Sequence, residues 1–253
     1  MSECKPADTP ATMVDLTNPN ISTGPSLSAV QHEVYRSMIG SALYAANTTR
    51  IDIAHTVGIL ARFVSQPKLI HFTAAKRLFR YLKGTMEHSI KFSGQPTDKL
   101  QFTCYADSNW GGDLIDRKST SSYVMMLNNN LLSWQSKKQP TVALSSTEAE
   151  YMGISAATCE SRWISDLLHQ LLGSYLPITI YCDNQSAIAR IMSDTYSERT
   201  KHIDIRHHYI KQYVKNDSIK LLWINTEEQL ADILTKTLNK TLHTHFTQSL
   251  LST

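Results

Sequence analysis

The chain has 253 residues, 42% hydrophobic and 19% charged, with 25 basic against 22 acidic side chains for a formal charge of +3. That length and apolar content allow one or two domains with a proper core, and nine glycines and eight prolines exclude collagen-like and broadly low-complexity chains. No apolar run approaches the ~18 residues of a membrane span, and residues 1–30 carry neither the basic start nor the apolar core of a secretory signal.

Residues 1–33, rich in Pro, Thr, Ser, Asn and Asp, read as an extended or disordered leader. Residues 34–94 read as a helical segment. Met38, Ile39, Ala42, Leu43 and Ala46 fall on one helical face. A second helix is expected from about Ile51 to Val64, closed by Gln66-Pro67, and a third from about Lys68 to Lys83, stopped by Gly84. HSIKF reads as a short strand near the boundary at residue 95.

Beyond that boundary, residues 95–253 read as a mixed α/β domain. QFTCYAD, SSYVMML and LLSWQS alternate like strands, and Asn128 to Asn130 form a turn. PTVAL is a further candidate strand before a long helix from about Ser146 to Leu172. Strand PITIYCD, a helix around NQSAIARIM, a basic helix from about Lys201 to Lys215, strand IKLLWIN and helix EEQLADILTK follow. Three neighbouring strands and then alternating helices and strands describe a mixed sheet with helices on its faces. Cys4, Cys104, Cys159 and Cys182 are widely spaced and lack a CxxC pair, which fits buried thiols of a reducing compartment.

Two acids close apolar strands: Asp107 ends QFTCYAD and Asp183 ends ITIYCD. Carboxylates there can face the crevice where α/β sheets bind ligands. Glu150 lies in the first turns of the long helix and Asp232 in EEQLADILTK. Four converging acids would repel unless divalent cations lay between them, and magnesium suits hard oxygen ligands. Each acid also has a local explanation. A strand-closing Asp serves as a turn residue or helix cap, and both Ser145-x-x-Glu148 and Thr147-x-x-Glu150 match a capping box. Spacing alone leaves both readings open.

YADSNWGGD, DRKSTSSYVMML, SWQSKKQPTVALSSTEAEYMGISAA, IYCDNQSAIA, RTKHIDIRHHYI and NTEEQLADILTK occur in this order. Together they resemble the ribonuclease H domain of copia-type (Pseudoviridae) retrotransposon Pol polyproteins. YRSMIGSALYAANTTRIDIAHTVGILARFVSQP and HFTAAKRLFRYLKGT resemble the thumb or connection segment after the polymerase palm in the same polyproteins, so the resemblance covers nearly the whole chain. It implies a ribonuclease H-like mixed sheet with flanking helices, preceded by a small all-helical segment. It also implies two magnesium ions, with manganese as the alternative, held by Asp107, Glu150, Asp183 and Asp232. Glu150 followed by Tyr-Met-Gly fits the family's glutamate better than Glu148, which is left as a helix cap. Small departures are Ser122 where glycine is common, Ile51 for a proline, and no proline after LTK. The histidine that many ribonucleases H carry ahead of the last aspartate has no match in WINTEEQLAD. His202, His207 and His208 read instead as part of a basic helix entry.

The implied reaction is endonucleolytic cleavage of the RNA strand of an RNA–DNA hybrid, told from DNA by its 2′-hydroxyls. Residues 62–91 hold seven basic side chains against Glu87 alone. Lys76, Arg80 and Lys83 form a stripe opposite Ala75, Leu78, Phe79 and Leu82, read as either a solvated face or a phosphate-tracking one. Arg117, Lys118, Lys137 and Lys138 form a second basic group, and Arg199, Lys201, Arg206 and Lys211 a third. Asn109, Trp110, Ser146 and Gln185, close to the motifs above, are further candidate contacts, with Trp110 read equally as a packing residue. No Asp-Asp dipeptide is present, so reverse transcription itself is expected outside this chain, with the polymerase palm as partner in the parent polyprotein. The competing reading is a catalytically inactive relic that only binds nucleic acid. Absence of sorting signals allows cytoplasm, virus-like particle or nucleus.

Overall fold

In the computed structural model, which describes residues 3–12, 17–18, 24–94, 100–193, 209–216 and 218–253, the chain divides into two units. One gathers Met1–Lys91, Asp113–Arg117 and Lys236–Thr253; the other gathers Phe92–Gly112 and Lys118–Thr235.

The first unit is helical. Helix α1 (Ala29–Thr48) starts earlier than its apolar pattern suggests. The hydroxyl of Ser28 accepts from the Gln31 amide at 3.3 Å and the Gln31 side chain accepts from the Ser28 amide at 3.1 Å, a reciprocal cap. Its buried face is Tyr35, Ile39, Ala42 and Ala46. A 3-10 turn, Ile51–Ile53, leads into α2 (Ala54–Ala61), which stops short of the expected Val64. Helix α3 (Leu69–Gly84) buries Phe72, Ala75 and Leu78 against Ile53, Val57 and Leu60. Residues 3–12 follow a course of turns and bends beside α3, with the Ala7 amide donating to the Arg80 carbonyl at 3.3 Å. The C-terminal helix α7 (Lys240–Leu250) also belongs to this unit.

The second unit is built on one five-stranded sheet. Strands β1 (Phe102–Asn109), β2 (Thr120–Leu127) and β3 (Asn130–Lys138) form an antiparallel meander. Strands β4 (Ile178–Cys182) and β5 (Ile219–Trp223) add in parallel on the other side of β1, giving the order β3-β2-β1-β4-β5. Helix α4 (Ser146–Leu172) packs across β1 through Tyr151, Ile154, Ala157 and Ile164, and ends at Gly173, whose φ of +75° needs no side chain. Helix α5 (Gln185–Met192) and α6 (209–215) add Ala187, Ile191 and Ile210 to the same core. This is the mixed α/β architecture, with flanking helices and preceding N-terminal helices, that the resemblance implied.

Three local expectations are corrected. HSIKF forms no strand; Ser89 makes only an isolated bridge to Ser252. PTVAL is a bend, because the Leu144 amide is taken by the Glu148 carboxylate at 2.8 Å rather than by a neighbouring strand. EEQLADILTK is two 3-10 turns, Thr226–Glu228 and Leu230–Leu234, separated by an extended Gln229. Of the cysteines, Cys104 and Cys182 are buried as expected, but Cys159 is exposed and all four are free. Among the described residues, no helix is long and apolar enough to cross a membrane.

Candidate metal centre

Asp107 lies within β1, which continues two residues past it rather than ending there. Its register partner on β2 is Ser122, whose partner on β3 is Ser136, so the three share one row across the meander. Side chains alternate along a strand. Ser108, the next residue, faces α4, where its hydroxyl meets that of Ser121 at 2.9 Å, and Asp107 therefore faces the other side. There it receives a hydrogen bond on Oδ2 from the Thr235 hydroxyl.

The serine row fixes what lies over it. Ser122 Oγ donates to the Ala231 carbonyl at 3.0 Å and Ser136 Oγ to the Leu234 carbonyl at 2.6 Å. Gln229 Nε2 donates to the Ala106 carbonyl at 3.1 Å, and Asn109 Nδ2 to the Thr235 carbonyl at 3.2 Å. Four side chains thus tie the 3-10 segment to the meander, and Asp232 sits in the middle of it, buried. These hydrogen bonds explain why an apolar pattern that suits a helix does not form one. Stacking the segment flat on the sheet satisfies buried serine, glutamine and carbonyl groups that would otherwise cost about 1–3 kcal/mol each.

Asp183 directly follows β4. Its Oδ2 accepts from the Thr226 hydroxyl at 2.8 Å, and its carbonyl accepts from the Trp223 indole at 3.1 Å. Asn184 beside it caps α5 through the Ala187 amide at 2.9 Å. The two glutamates of α4 divide by geometry: Glu148 closes the helix start, while Glu150, 6% exposed, lies 3.9 Å from the Cys182 sulphur. The depth of α4 is set at Gly153. A β-carbon there would fall against the Ser108 hydroxyl and lie 3.4 Å from the Asp107 carbonyl.

The acids therefore converge from four elements. Ligand oxygens of Asp107, Asp183 and Asp232 lie within 4.8 Å of one another, and a second group of that span joins Glu150, Cys182 and Asp183. Each ionised pair at that distance repels by roughly 3 kcal/mol at an effective dielectric of ~20. Burial, and after it the Glu150 carboxylate, push the Cys182 thiol above its ordinary range, so it stands as a neutral S–H beside the acids. Four hard carboxylates and a protonated thiol fit magnesium or manganese better than a thiophilic ion.

The basic residues are less unified than the sequence suggests. Arg80 Nε donates to the Lys5 carbonyl at 2.6 Å and Lys83 Nζ to the Cys4 carbonyl at 2.8 Å, so two of the α3 stripe hold residues 3–12 in place. Lys76 lies 4.2 Å over the Phe72 ring. Lys137 and Lys138 are consecutive on β3, so they point to opposite faces of the sheet; Lys138 shares the face of Ser136 and Asp107. Arg117 is exposed with φ of 56°, and Lys118 is half-buried. Arg199, Lys201, Arg206, His202, His207 and His208 lie outside the described residues. Asn109 is spent on the Thr235 carbonyl and the Trp110 indole donates to the Ala143 carbonyl at 2.9 Å, though half its surface is open. Ser146 and Gln185 open α4 and α5 and are exposed. Sequence reasoning noted Ser122 only as a departure from a common glycine, and did not single out Ser136, Thr226, Gln229 or Thr235. Their signal was available in part: Ser121 and Ser122 are polar residues that open the otherwise apolar run YVMML of a strand whose first seven residues are buried.

No protein-family model matches the chain. It is 42% identical over 202 residues, 80% of its length, to the retrovirus-related Pol polyprotein from transposon TNT 1-94 of Nicotiana tabacum, covering 15% of that protein. It is 36% identical over 247 residues, 97% of its length, to the retrovirus-related Pol polyprotein from transposon RE1 of Arabidopsis thaliana, covering 16%. The chain thus spans about one sixth of the length of these curated relatives. Among solved structures it is similar to LC11-RNase H1 in complex with an RNA/DNA hybrid, at 16% identity and a TM-score of 0.41, over 53% of this chain and 94% of that one.

Proposed function

The chain belongs to the Pol polyproteins of copia-type, retrovirus-related transposons, and from that membership we propose that its α/β unit is a divalent-metal-dependent ribonuclease H. The observation that carries this reading is the approach of Asp107, Asp183 and Asp232 to within 4.8 Å, with Glu150 beside Asp183. Asp107, Asp183 and Asp232 would hold one magnesium or manganese ion, and Glu150 with Asp183 a second. When bound, such ions lower the pKa of water and stabilise charge on the attacking and leaving oxygens of a phosphodiester.

The protein's own part is placement. Burial of Asp107, Glu150 and Asp232 keeps bulk water from competing for their oxygens, while Asp183, half-buried, leaves the cluster an open side. The substrate is the RNA strand of an RNA–DNA hybrid, whose 2′-hydroxyls distinguish it from DNA. Cleavage leaves 5′-phosphate and 3′-hydroxyl ends. In the α/β unit Lys118, Lys137 and Lys138, and in the helical unit Lys76, Arg80, Lys83 and Arg117, are the cations assigned to its phosphates. Arg199, Lys201 and Arg206 are assigned the same role. The division of the chain into a leader, a thumb-like helical segment and a ribonuclease H-like domain belongs to this proposal, as does the polymerase palm as partner.

The test is cleavage of a labelled hybrid by the full chain with magnesium, with chelator, and in Asp183→Asn. Cutting of the RNA strand that needs magnesium and is lost in the variant is the expected result. A chain that binds hybrid and never cuts it is the inactive relic.

A further inference from the structure

The geometry points to Thr235 as a positioning residue for the carboxylate cluster, and this rests on the metal-dependent reading above. Thr235 is wholly buried and follows the 3-10 segment that carries Asp232. Its hydroxyl has one proton to donate. Two acceptors lie in reach, Asp107 Oδ2 and, at 3.4 Å, the Asp232 carbonyl. Asp107 Oδ2 is the nearer of the two, and a carboxylate oxygen is a stronger acceptor than a peptide carbonyl, so it takes the proton.

The same residue is tied to β1 a second time, through its carbonyl and the Asn109 side chain at 3.2 Å. It is also tied to its own segment, its amide donating to the Asp232 carbonyl at 3.2 Å. One side chain therefore joins Asp107 to the segment of Asp232, although Asp107 lies 128 positions earlier in the chain. Occupying Oδ2 fixes the rotation of the Asp107 carboxylate about its terminal bond, and with it the direction of the remaining oxygen. Groups that hold a metal ligand in this way act on the ion without touching it.

Valine keeps the shape of threonine and removes the proton; serine keeps the proton and removes the methyl group. The full chain is titrated calorimetrically with manganese and with magnesium, without nucleic acid, as parent, Thr235→Val, Thr235→Ser and Asp183→Asn. Hybrid cleavage is measured against magnesium concentration in parallel. Thr235→Val weakens metal binding by at least about tenfold and lowers kcat with an unchanged KM for hybrid, while Thr235→Ser stays within about threefold of the parent. Parent-like metal affinity in Thr235→Val overturns the proposal, as does a serine variant as impaired as the valine one. Should Thr235→Val fail to fold, a tenfold loss in Thr235→Ser still overturns it and parent-like binding supports it. A parent chain that binds neither ion, or binds both equally well in Asp183→Asn, overturns the metal-centre reading itself and the role of Thr235 with it.

Discussion

The hydroxyl of Ser122, in the middle strand of the meander, donates at 3.0 Å to the carbonyl of Ala231, the residue just before Asp232. A side chain of one strand thus sets the height of an acid that arrives 110 positions later. Ser136 repeats the arrangement one strand further out, on the Leu234 carbonyl. Glycine, common at the position of Ser122 in the family it resembles, would leave the Ala231 carbonyl without this donor.

Ser122→Ala is expected to lower stability by about 1–2 kcal/mol, the cost of removing the partner of a buried carbonyl. Adding Ser136→Ala should cost less than the sum of the two single changes, since a segment already lifted at Ala231 has less to lose at Leu234. Chemical denaturation of the two single variants and the double variant measures this coupling. Strict additivity would mean that the two serines hold the segment independently.

At Gly153 the constraint is steric rather than polar. Gly153→Ala places a methyl group against the Ser108 hydroxyl, which is buried and engaged with Ser121. Overpacking of this kind costs about 1–3 kcal/mol. Because Glu150 lies one turn away on α4, hybrid cleavage should fall together with stability. Ser108→Ala in the same chain removes the obstructing oxygen and is expected to restore part of both, as read by the denaturation midpoint and the cleavage rate. No rescue would place the clash on the Asp107 carbonyl instead.

The meander, the long helix and the strand before Asp183 were legible because period-2 and period-3.6 patterns survive where one face is buried. Asp107 and Asp183 stood out as acids against apolar strands. The segment of Asp232 was misread as a helix because Leu230, Ile233 and Leu234 have helical spacing. The hydrogen bonds that override it come from Ser122, Ser136 and Asn109, more than ninety positions away in sequence. Residues 3–12 show the same limit. Their composition does not reveal that Arg77, Arg80 and Lys83 supply donors to Thr9, Lys5 and Cys4. Lysines 137 and 138 looked like one patch until the strand placed them on opposite faces.

The helical unit contains a buried ion pair whose titration gives it an acid limit. Arg50 grips both oxygens of Asp52, at 2.9 and 2.7 Å, and the Tyr81 hydroxyl donates to Oδ2 at 2.7 Å. Burial opposes the charge on Asp52, but the hydrogen bonds and positive charge of Arg50, with the Tyr81 hydroxyl beside them, outweigh it and hold the carboxyl well below its usual range. His88 is 3.9 Å away, so the two-point guanidinium contact is the stronger grip. A carboxyl with a depressed folded pKa adds stability that is complete above its unfolded value near ~3.9 and is lost as pH falls toward the folded one. Asp52→Asn should cost about 3–5 kcal/mol at neutral pH, by leaving Arg50 buried without its partner. It should also flatten the loss of stability below about pH 4. An acid limb equally steep in variant and parent would assign that limb to other carboxylates.

Gln229 offers a pH-dependent test of how the Asp232 segment is held. It is fully buried, its Nε2 donating to the Ala106 carbonyl at 3.1 Å and its Oε1 accepting from the Ala231 amide at 3.3 Å. Gln229→Met keeps the length and loses both bonds, a cost of about 2–3 kcal/mol. Gln229→Glu keeps the acceptor but, when ionised, turns an oxygen toward the Ala106 carbonyl and adds a negative charge near Asp107 and Asp232. At neutral pH the glutamate variant should therefore be the less stable of the two. Burial and the neighbouring acids disfavour its charged form, so acidification protonates it and restores a donor for Ala106. The order of the two variants is then expected to reverse in denaturation experiments between about pH 7 and about pH 5, above the range where Asp52 titrates. A glutamate variant that remains the weaker throughout would show that the Ala106 contact is not what holds the segment to β1.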